Sequence, residues 1–481
     1  MFDVVVLGGG PAGMMAALRA YELGASVGLV EKGQLGGTAI TDGVVATRVL
    51  AQAARLARDA ARAEEYGLPA PAAPVAVDFV RLRQKLLAVT ATLRERKARD
   101  LLAPRERLTL FTSVGSTRFL DPNTIQLESG GTVRGHRILI CTGGAPRRAA
   151  FPGHEHTFTH RDVLKFDRVP ASLAIVGAGA TGCHLASVFS AFGARVTLLE
   201  SQARILPTED ADISGALAEA FQQAGITIIT GLRSVERVEP DGAGYNLVYR
   251  LGDELQSLSA AAVVLAIGWP GSTAGLGLDA VGVRTIGGNF IETNDYLQTS
   301  VSHIYAAGDI TGRMPLVHSA AQQGMIAAEN ALRGSQRPAE NRLVPRGTFT
   351  EPEYAGVGLT EEQVAGRFDA LTSTVRYADL DRAVIDGRTA GFCKLVVNRK
   401  NGLVLGAHAV GELAREIISV AAAGMATDAG LPVSRLIELE REYPAYTTLL
   451  GLAARQAARA LVQGGLDPDW QSLSDWFNRL P

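Results

Sequence analysis

The chain has few cysteines, little net charge and no long hydrophobic run. Among 481 residues the three cysteines are Cys141, Cys183 and Cys393, and their odd number and wide spacing predict reduced packing residues rather than a disulfide framework. The formal net charge of −2 offers no electrostatic basis for binding nucleic acid. The sequence has no uninterrupted apolar run of about 18 residues, and the first predicted strand follows Met1 directly. We therefore expect a cytoplasmic protein without a membrane span or a signal peptide.

Length and glycine are what the chain has in abundance. A chain of 481 residues, of which 47% are hydrophobic, is long enough for about three domains with sizeable cores. Many of the 53 glycines fall in recognisable turns between predicted strands and helices. The turns, rather than composition, carry the functional information.

The first glycine-rich turn follows a predicted strand over residues 2–7 and opens an alanine-rich helix. It consists of Gly8-Gly9-Gly10-Pro11-Ala12-Gly13. In this setting Gly8 permits the tight turn, Gly10 lets the backbone approach a pyrophosphate and Gly13 lets the helix pack closely. The helix N-terminus favours the phosphate charge, and Glu31 at the end of the next strand is placed to accept a hydrogen bond from a ribose hydroxyl. The unit predicts a dinucleotide site.

The same unit recurs once in the chain. After a predicted strand over 174–176 the sequence reads Gly177-Ala178-Gly179-Ala180-Thr181-Gly182, and a helix and a strand ending in Glu200 follow. Two dinucleotide sites in one chain favour a flavin paired with a nicotinamide coenzyme.

Further motifs make nearly the whole chain resemble the flavoprotein disulfide reductases, the family of dihydrolipoamide, glutathione and mercuric ion reductases. The segment 299–309 ends in Gly-Asp, 138–144 ends in Thr-Gly-Gly, and 264–268 resembles the family's return crossing between domains. The segment 349–362 resembles the start of its dimerisation domain. The resemblance covers about residues 2–460.

This resemblance implies an α/β fold with two Rossmann-like dinucleotide-binding domains and an α+β C-terminal dimerisation domain. The implied FAD domain spans 1–148 and 272–340, the NAD(P)H domain 149–271 and the dimerisation domain 341–462. The implied FAD contacts are Gly8, Gly10, Pro11, Ala12, Gly13, Glu31, Lys32, Gly37, Thr38, Thr142, Gly143, Asp309, Leu316 and Val317. The implied NAD contacts are Gly177, Gly179, Ala180, Thr181, Gly182, Glu200 and Gly268.

The chain differs from the family at the positions through which family members pass electrons to their substrates. Relatives carry two cysteines separated by four residues in the segment that corresponds to 36–48, and here these positions hold Ala39 and Val44. In the C-terminal domain Tyr443 stands where the family has a histidine before proline, and Thr448 replaces its glutamate partner. A tyrosine with a pKa near 10 is a poor general base at neutral pH. These losses together predict that dithiol chemistry is absent.

A third departure lies on the implied nicotinamide side. The family places a lysine–glutamate ion pair at the positions of Arg48 and His184. Arg48 keeps the positive charge, whereas His184 cannot supply a carboxylate, and a neighbouring cation should disfavour its charged form. One interpretation is that His184 contacts nicotinamide; the alternative is a packing histidine. The spacing of His154, His156 and His160 resembles a metal site, but the absence of a carboxylate cage in this stretch argues against a metal.

Charge at the end of the second unit favours NADH over NADPH. Glu200 can accept hydrogen bonds from both ribose hydroxyls, whereas a 2′-phosphate would meet it as a like charge. The following Ser201, Gln202 and Ala203 supply no cation to offset that repulsion.

Three functions fit these residues. The first is an FAD-dependent NADH dehydrogenase that reduces a small external acceptor, most plausibly a quinone held against Ala39 and Val44. The second is a soluble pyridine nucleotide transhydrogenase, which shares the Tyr-Pro character but should bind NADPH well. The third is a flavin-bearing partner subunit without catalysis. The resemblance further implies a homodimer built through residues 347–460, with Tyr443 near the partner's flavin.

The tail over residues 463–481 extends beyond the family's usual core. Its large apolar residues recur at helical spacing, namely Trp470, Leu473, Trp476, Phe477 and Leu480. One interpretation is an amphipathic helix docked on its own dimer. The other is a weak membrane-surface contact, which three nearby aspartates oppose.

Overall fold

The computed structural model describes residues 1–69, 71, 75–102, 106–340 and 343–463, so most of the tail lies outside the described residues. The strands are β1 (Phe2–Leu7), β2 (Val27–Val30), β3 (Leu108–Phe111), β4 (Thr117–Asp121), β5 (Thr124–Leu127), β6 (Thr132–Ile140), β7 (Ser172–Val176), β8 (Arg195–Leu199), β9 (Thr227–Ile229), β10 (Leu232–Asp241), β11 (Gly244–Leu251), β12 (Glu254–Ala260), β13 (Ala262–Leu265), β14 (Thr285–Ile286), β15 (Phe290–Ile291), β16 (Ile304–Ala306), β17 (Arg346–Thr348), β18 (Tyr354–Gly358), β19 (Ala370–Arg376), β20 (Phe392–Asn398) and β21 (Val404–Val410).

The helices alternate with the parallel strands in the first two domains and cover the sheet in the third. They are α1 (Pro11–Glu22), α2 (Gly37–Thr41), α3 (Val44–Ala61), α4 (Phe79–Leu102), α5 (His160–Val163), α6 (Ala180–Ala191), α7 (Ala211–Gln223), α8 (Val317–Arg333), α9 (Glu361–Val364), α10 (Asp381–Ile385), α11 (Ala414–Met425), α12 (Val433–Glu438) and α13 (Thr448–Gln463).

The first domain is a parallel sheet with β1 at its centre. β1 pairs in parallel with β2 on one side and β6 on the other, and β16 returns to pair in parallel with β6. The residues of β1 from Val4 to Val6 are fully buried, because α1 and α8 cover one face of the sheet and β4, β5 and residues 276–310 pack against the other. The turn after β1 therefore lies at the carboxyl edge of the sheet, where α/β folds bind ligands.

The second domain repeats this plan on a smaller scale. The parallel order is β13-β7-β8-β9, with α6 following β7. A separate antiparallel sheet of β10, β11 and β12 is inserted before the chain returns through β13. The Rossmann prediction for both domains is confirmed.

The third domain has a five-stranded antiparallel sheet in the order β17-β18-β21-β20-β19. Apolar residues of α11 and α13 pack against it, and Ile417, Leu449 and Ala453 are fully buried.

Helix α3 lies at the junction of all three domains. Its buried Ala46 and Leu50 share one core with Cys183 of α6 and with Tyr354 of β18. A second link is the buried ammonium of Lys394 on β20, which lies 2.7 Å from the carboxylate of Asp210 beside α7. These contacts hold the nicotinamide domain against the C-terminal domain.

Candidate functional site

The first glycine-rich turn is built as a phosphate cradle. Gly8 has φ +103°, and a Cβ on Gly13 would lie 1.8 Å from the carbonyl oxygen of Gly8, so only glycine fits at both positions. A Cβ on Gly10 would meet its first neighbour, Gly37 Cα, at 3.9 Å. Gly10 therefore borders open space at the start of α1, while Gly13 is closely packed, as dinucleotide binding requires.

Glu31 closes the same turn through its carboxylate. Oε2 accepts the Gly9 N–H at 2.6 Å and Oε1 accepts the Gly33 N–H at 2.8 Å. The side chain is 7% exposed, and each oxygen keeps a further lone pair for a ribose hydroxyl. Lys32 follows it and is exposed.

The second turn repeats this geometry almost atom for atom. Gly177 has φ +99°, and a Cβ on Gly182 would lie 1.9 Å from the Gly177 carbonyl oxygen. Around Gly179 no described atom lies within 4 Å of a Cβ. Glu200 Oε2 accepts the Ala178 N–H at 2.7 Å, and its Oε1 accepts the Gln202 N–H at 2.9 Å. Ala180 and Thr181 form the first turn of α6, whose N–H groups point towards this open space.

The two crossing segments between the domains lie side by side. The Ser272 N–H donates to the Gly143 carbonyl oxygen at 2.9 Å, and the Thr142 hydroxyl donates to the Ser272 carbonyl oxygen at 3.1 Å. Gly143 and Gly268 both have positive φ, at +69° and +129°. The sequence predicted both crossings but not that they bond to one another.

Asp309 lies where the β16 segment turns into a short 3₁₀ helix after Gly308, which has φ +84°. Burial raises the pKa of its carboxyl, and a hydrogen bond from the Trp269 indole opposes that shift. Leu316 and Val317 lie nearby in sequence at the start of α8.

Residues 37–48, which lie in the segment where the resemblance places a dithiol, form the short helix α2 and the first turns of α3. Ala39 is half-buried on α2, and Val44 is the first residue of α3 and is 38% exposed. A Cβ on Gly37 would lie 2.9 Å from Gly10, so the segment abuts the first glycine-rich turn and places Thr38 beside it. Val44 and Arg48 are four residues apart and share one face of α3.

Arg48 has a carboxylate partner that the sequence did not reveal. Its Nη1 lies 3.3 Å from Glu353 Oε1, and the same oxygen accepts a hydrogen bond from Arg415 at 3.1 Å. Both guanidinium groups also lie over the ring of Phe349, at 4.9 and 4.4 Å from its centre. The negative charge that the family draws from the nicotinamide domain is supplied here by the C-terminal domain.

His184 is held in the same cluster as a neutral acceptor. Its ring stacks on Phe349 at 5.2 Å, and its Nε2 accepts the Phe349 N–H at 2.7 Å. Burial, followed by the charge of Arg415, lowers the pKa of His184 to about 3. The pKa of His184 is lowered, as the sequence predicts, although the main cause is burial rather than the charge of Arg48.

Acid is expected to destabilise the protein through this histidine. An unfolded histidine titrates near pH 6.5, so the unfolded chain binds a proton that folded His184 refuses down to about pH 3. The stabilisation is therefore complete above pH 6.5 and declines as the pH falls, by up to about 1.4 kcal/mol per pH unit. Urea unfolding at several pH values should show this slope, and His184→Gln, which keeps an acceptor for Phe349, should reduce it.

The control for this slope is His136→Gln on the exposed surface of β6. That variant should leave the dependence of stability on pH unchanged. An identical slope in wild type and His184→Gln between pH 4 and 6.5 would contradict a neutral buried His184.

Tyr443 lies on the exposed edge of the third domain, with 74% of its surface accessible. Its hydroxyl donates to Asp381 Oδ2 at 2.8 Å, and this hydrogen bond raises the pKa of the tyrosine. Thr448 is the first residue of α13. The tyrosine thus has a carboxylate partner from another element, and because its pKa is raised, even less of it is deprotonated at neutral pH than of a free phenol.

The three cysteines are free and buried. Burial raises the pKa of Cys141 and of Cys393 to about 12, and it raises that of Cys183 as well. None of these thiols forms an appreciable amount of thiolate at neutral pH.

The described ranges contain neither a candidate membrane span nor a candidate metal site. Over these residues no helix is long and apolar enough to cross a membrane. His154 and His156 instead pair with Glu155, and no group of three or more metal-ligand side chains is found in the part of the chain that the structure describes.

Most of the chain is similar to one family of known proteins. Residues 2–324 match the model of the pyridine nucleotide-disulphide oxidoreductases, and residues 344–450 match the dimerisation domain of that family. A mercuric reductase of Staphylococcus aureus is 33% identical over 94% of this chain and 82% of its own length. A dihydrolipoyl dehydrogenase of Mycobacterium leprae is 34% identical over 87% of this chain and 90% of its own. Among solved structures, the HOCl-induced flavoprotein disulfide reductase RclA from Escherichia coli is similar with a TM-score of 0.83 and 26% identity, over 94% of this chain and 99% of that one.

Proposed function

Because the chain belongs to the pyridine nucleotide-disulphide oxidoreductase family, we propose that it is an FAD-dependent NADH dehydrogenase that reduces a quinone. The coarser assignment, a flavoprotein oxidoreductase that uses a pyridine nucleotide, follows from the family itself. The observation that carries the proposal is the pair Ala39 and Val44, which places apolar carbon where relatives carry the sulfurs. The balanced reaction is NADH + H⁺ + quinone → NAD⁺ + hydroquinone.

The residues present fit both coenzymes. FAD would be held by the first glycine-rich turn, Glu31, Thr38 and Asp309, and NADH by the second turn and Glu200. In each turn one glycine borders open space, Gly10 or Gly179, and the last glycine, Gly13 or Gly182, is closely packed. This repeated geometry supports two bound dinucleotides rather than one. Bound FAD supplies the ability to take a hydride from NADH and pass two electrons on.

The remaining residues orient the reactants and exclude alternative chemistry. Arg48 keeps a positive charge beside the segment 37–44, and Glu353 with Arg415 fixes its position. Ala39 and Val44 offer an apolar wall to a flat acceptor. Because the cysteine thiols are buried with raised pKa values, they do not replace the missing dithiol.

NADH is proposed over NADPH because Glu200 is buried beside the second turn. Its two oxygens accept backbone N–H groups there, so the carboxylate is fixed where the ribose would lie. Arg204, a cation that a 2′-phosphate would need, instead forms a two-pronged pair with Glu362 at 2.7 Å. A homodimer through the C-terminal domain is part of the proposal.

A soluble transhydrogenase is the second candidate, favoured by the Tyr443-Pro444 pair. It requires efficient exchange with NADP⁺, which Glu200 opposes by like charge.

The experiment that tests the function is anaerobic reduction followed by a panel of acceptors. We expect NADH to bleach the bound flavin faster than NADPH, and we expect quinones to restore its colour faster than NADP⁺, oxygen, lipoamide, glutathione disulfide or mercuric ion. Val44→Asp, which puts a charge on the apolar wall at a helix start that tolerates it, should raise the KM for quinone about tenfold and leave bleaching by NADH unchanged.

The matched control is Leu56→Asp, a 60% exposed position three turns further along α3. It should change neither step. Fast reoxidation by NADP⁺ would favour the transhydrogenase, and turnover with a disulfide would contradict the proposal outright.

A further inference from the structure

Trp269 forms a side-chain hydrogen bond at the centre of the proposed FAD site. It follows Gly268 on the return crossing, and its indole Nε1–H donates to Asp309 Oδ2 at 3.0 Å. The two residues are separated by 40 positions, so no local pattern links them. Indole N–H is only a donor, so Asp309 can take part only as an acceptor.

The indole is fixed from several sides. A Cβ on Gly144 would overlap the ring, so the first crossing packs directly against it. The ring of His160 on α5 lies 5.3 Å away, and the guanidinium of Arg161 lies 5.9 Å from the indole centre. Burial lowers the pKa of His160 to about 4, so the group against the indole is neutral at physiological pH.

Arg161, which lies over the Trp269 indole, also contacts the segment between α2 and α3. Arg161 Nε lies 2.5 Å from Oδ2 of Asp42, which is between α2 and α3. Trp269 is therefore placed between the carboxylate that would hold the flavin and the segment that forms the proposed acceptor wall.

We propose that Trp269 is a flavin-positioning residue that fixes the orientation of the Asp309 carboxylate for the ribityl hydroxyl. The inference rests on the proposed FAD site at Asp309. The indole N–H donates to Oδ2 and leaves Oδ1 as the acceptor that a ribityl hydroxyl of FAD would use. When the indole N–H is removed, the carboxylate loses this side-chain partner in a buried site that disfavours its charge.

The test is Trp269→Phe, which keeps an aromatic ring against His160 and removes the N–H. Apoprotein titrated with FAD at pH 7 should bind up to about tenfold more weakly, since the carboxylate is no longer held in place before FAD arrives and ordering one side chain costs about 0.5–1.5 kcal/mol. The hydrogen bond lowers the pKa of Asp309, so its loss raises that pKa. Release of FAD on acidification should therefore occur at a higher pH in the variant than in wild type.

Two further variants separate positioning from a structural role. In an Asp309→Asn background, which has no carboxyl to titrate, Trp269→Phe should cause no shift in the pH of FAD release. Trp476→Phe, in the segment outside the described residues, is the matched control and should bind FAD as wild type does. Thermal unfolding of the apoproteins checks that Trp269→Phe is folded.

Equal FAD affinity and an equal pH of release in wild type and Trp269→Phe would overturn the inference and leave the proposed function standing. The same pH shift in the Asp309→Asn background would also overturn it, because the effect would not pass through the carboxylate. Failure of the wild-type chain to bind FAD would instead overturn the proposed function.

Discussion

Replacing Lys394 with methionine is expected to lower the free energy of unfolding by about 3–5 kcal/mol. The Lys394 side chain is 2% exposed, and its ammonium lies 2.7 Å from Asp210 and Asp212 and 2.8 Å from Glu361. Asp210 is itself 1% exposed and comes from the nicotinamide domain. Burial raises the pKa of Asp210, but the Lys394 ammonium outweighs it and holds that pKa below its usual value. Without the lysine, a buried carboxylate is left without its cation.

Urea unfolding at pH 7 measures this loss. Lys400→Met is the matched control, because Lys400 is exposed in the turn that follows the same strand and its replacement should cost little. Equal unfolding midpoints for Lys394→Met and Lys400→Met would contradict a stabilising role for the ammonium. Asp210→Asn combined with Lys394→Met should recover part of the loss, since the uncompensated charge is then removed.

Gly182→Ala is expected to slow bleaching of the flavin by NADH by about five- to a hundredfold, because overpacking of this kind costs about 1–3 kcal/mol and displaces the turn that would hold the coenzyme. The added methyl would lie 1.9 Å from the Gly177 carbonyl oxygen, so α6 has to move away from β7 even before coenzyme arrives. The FAD site lies in the other domain and should stay loaded. Rapid mixing with NADH, followed by flavin absorbance, measures the effect.

Gly179→Ala is the matched comparison in the same turn. Within the described residues no atom lies within 4 Å of its added Cβ, so the thermal midpoint of the protein should not change. The methyl enters the open space where a pyrophosphate would lie, so NADH should bind more weakly. If Gly179→Ala and Gly182→Ala lowered the thermal midpoint equally, or if Gly182→Ala were reduced at the wild-type rate, the two glycines would not have these separate roles.

The parts of the fold that could be predicted are those set by neighbouring residues. The bounds of β1 and β8 match the sequence expectation, because each is a short apolar run that ends at a glycine-rich turn or an acidic residue. An apolar stripe of Leu82, Leu86, Leu87, Val89 and Leu93 predicts a helix over 78–102, and this helix is α4, although Leu87 is 58% exposed. The antiparallel sheet of β10 to β12 went unpredicted because its half-exposed strands carry a weak hydrophobic pattern.

The parts that could not be predicted come from distant contacts. Arg48 and Glu353 are 305 positions apart, and Tyr443 and Asp381 are 62 apart. Sequence reasoning found the cation and the tyrosine by resemblance, but their partners depend on how the third domain packs on α3. The segment 349–362 resembles the start of the dimerisation domain, and nothing in its spacing indicates that Phe349 contacts Arg48 and His184.

The start of helix α3 is exposed, whereas its later turns are buried or held by ion pairs. Its first turn exposes Val44 and Arg48, whereas Leu50 and Ala54 are buried deeper in the three-domain junction. Its last turns are tied down separately, since Arg55 pairs with Glu412 at 2.8 Å and Asp59 contacts Arg388. Natural selection can therefore exchange sulfur for carbon at the exposed end without repacking the scaffold. In this architecture a change of electron acceptor is a short evolutionary step, which two substitutions, one on α2 and one at the first residue of α3, can begin.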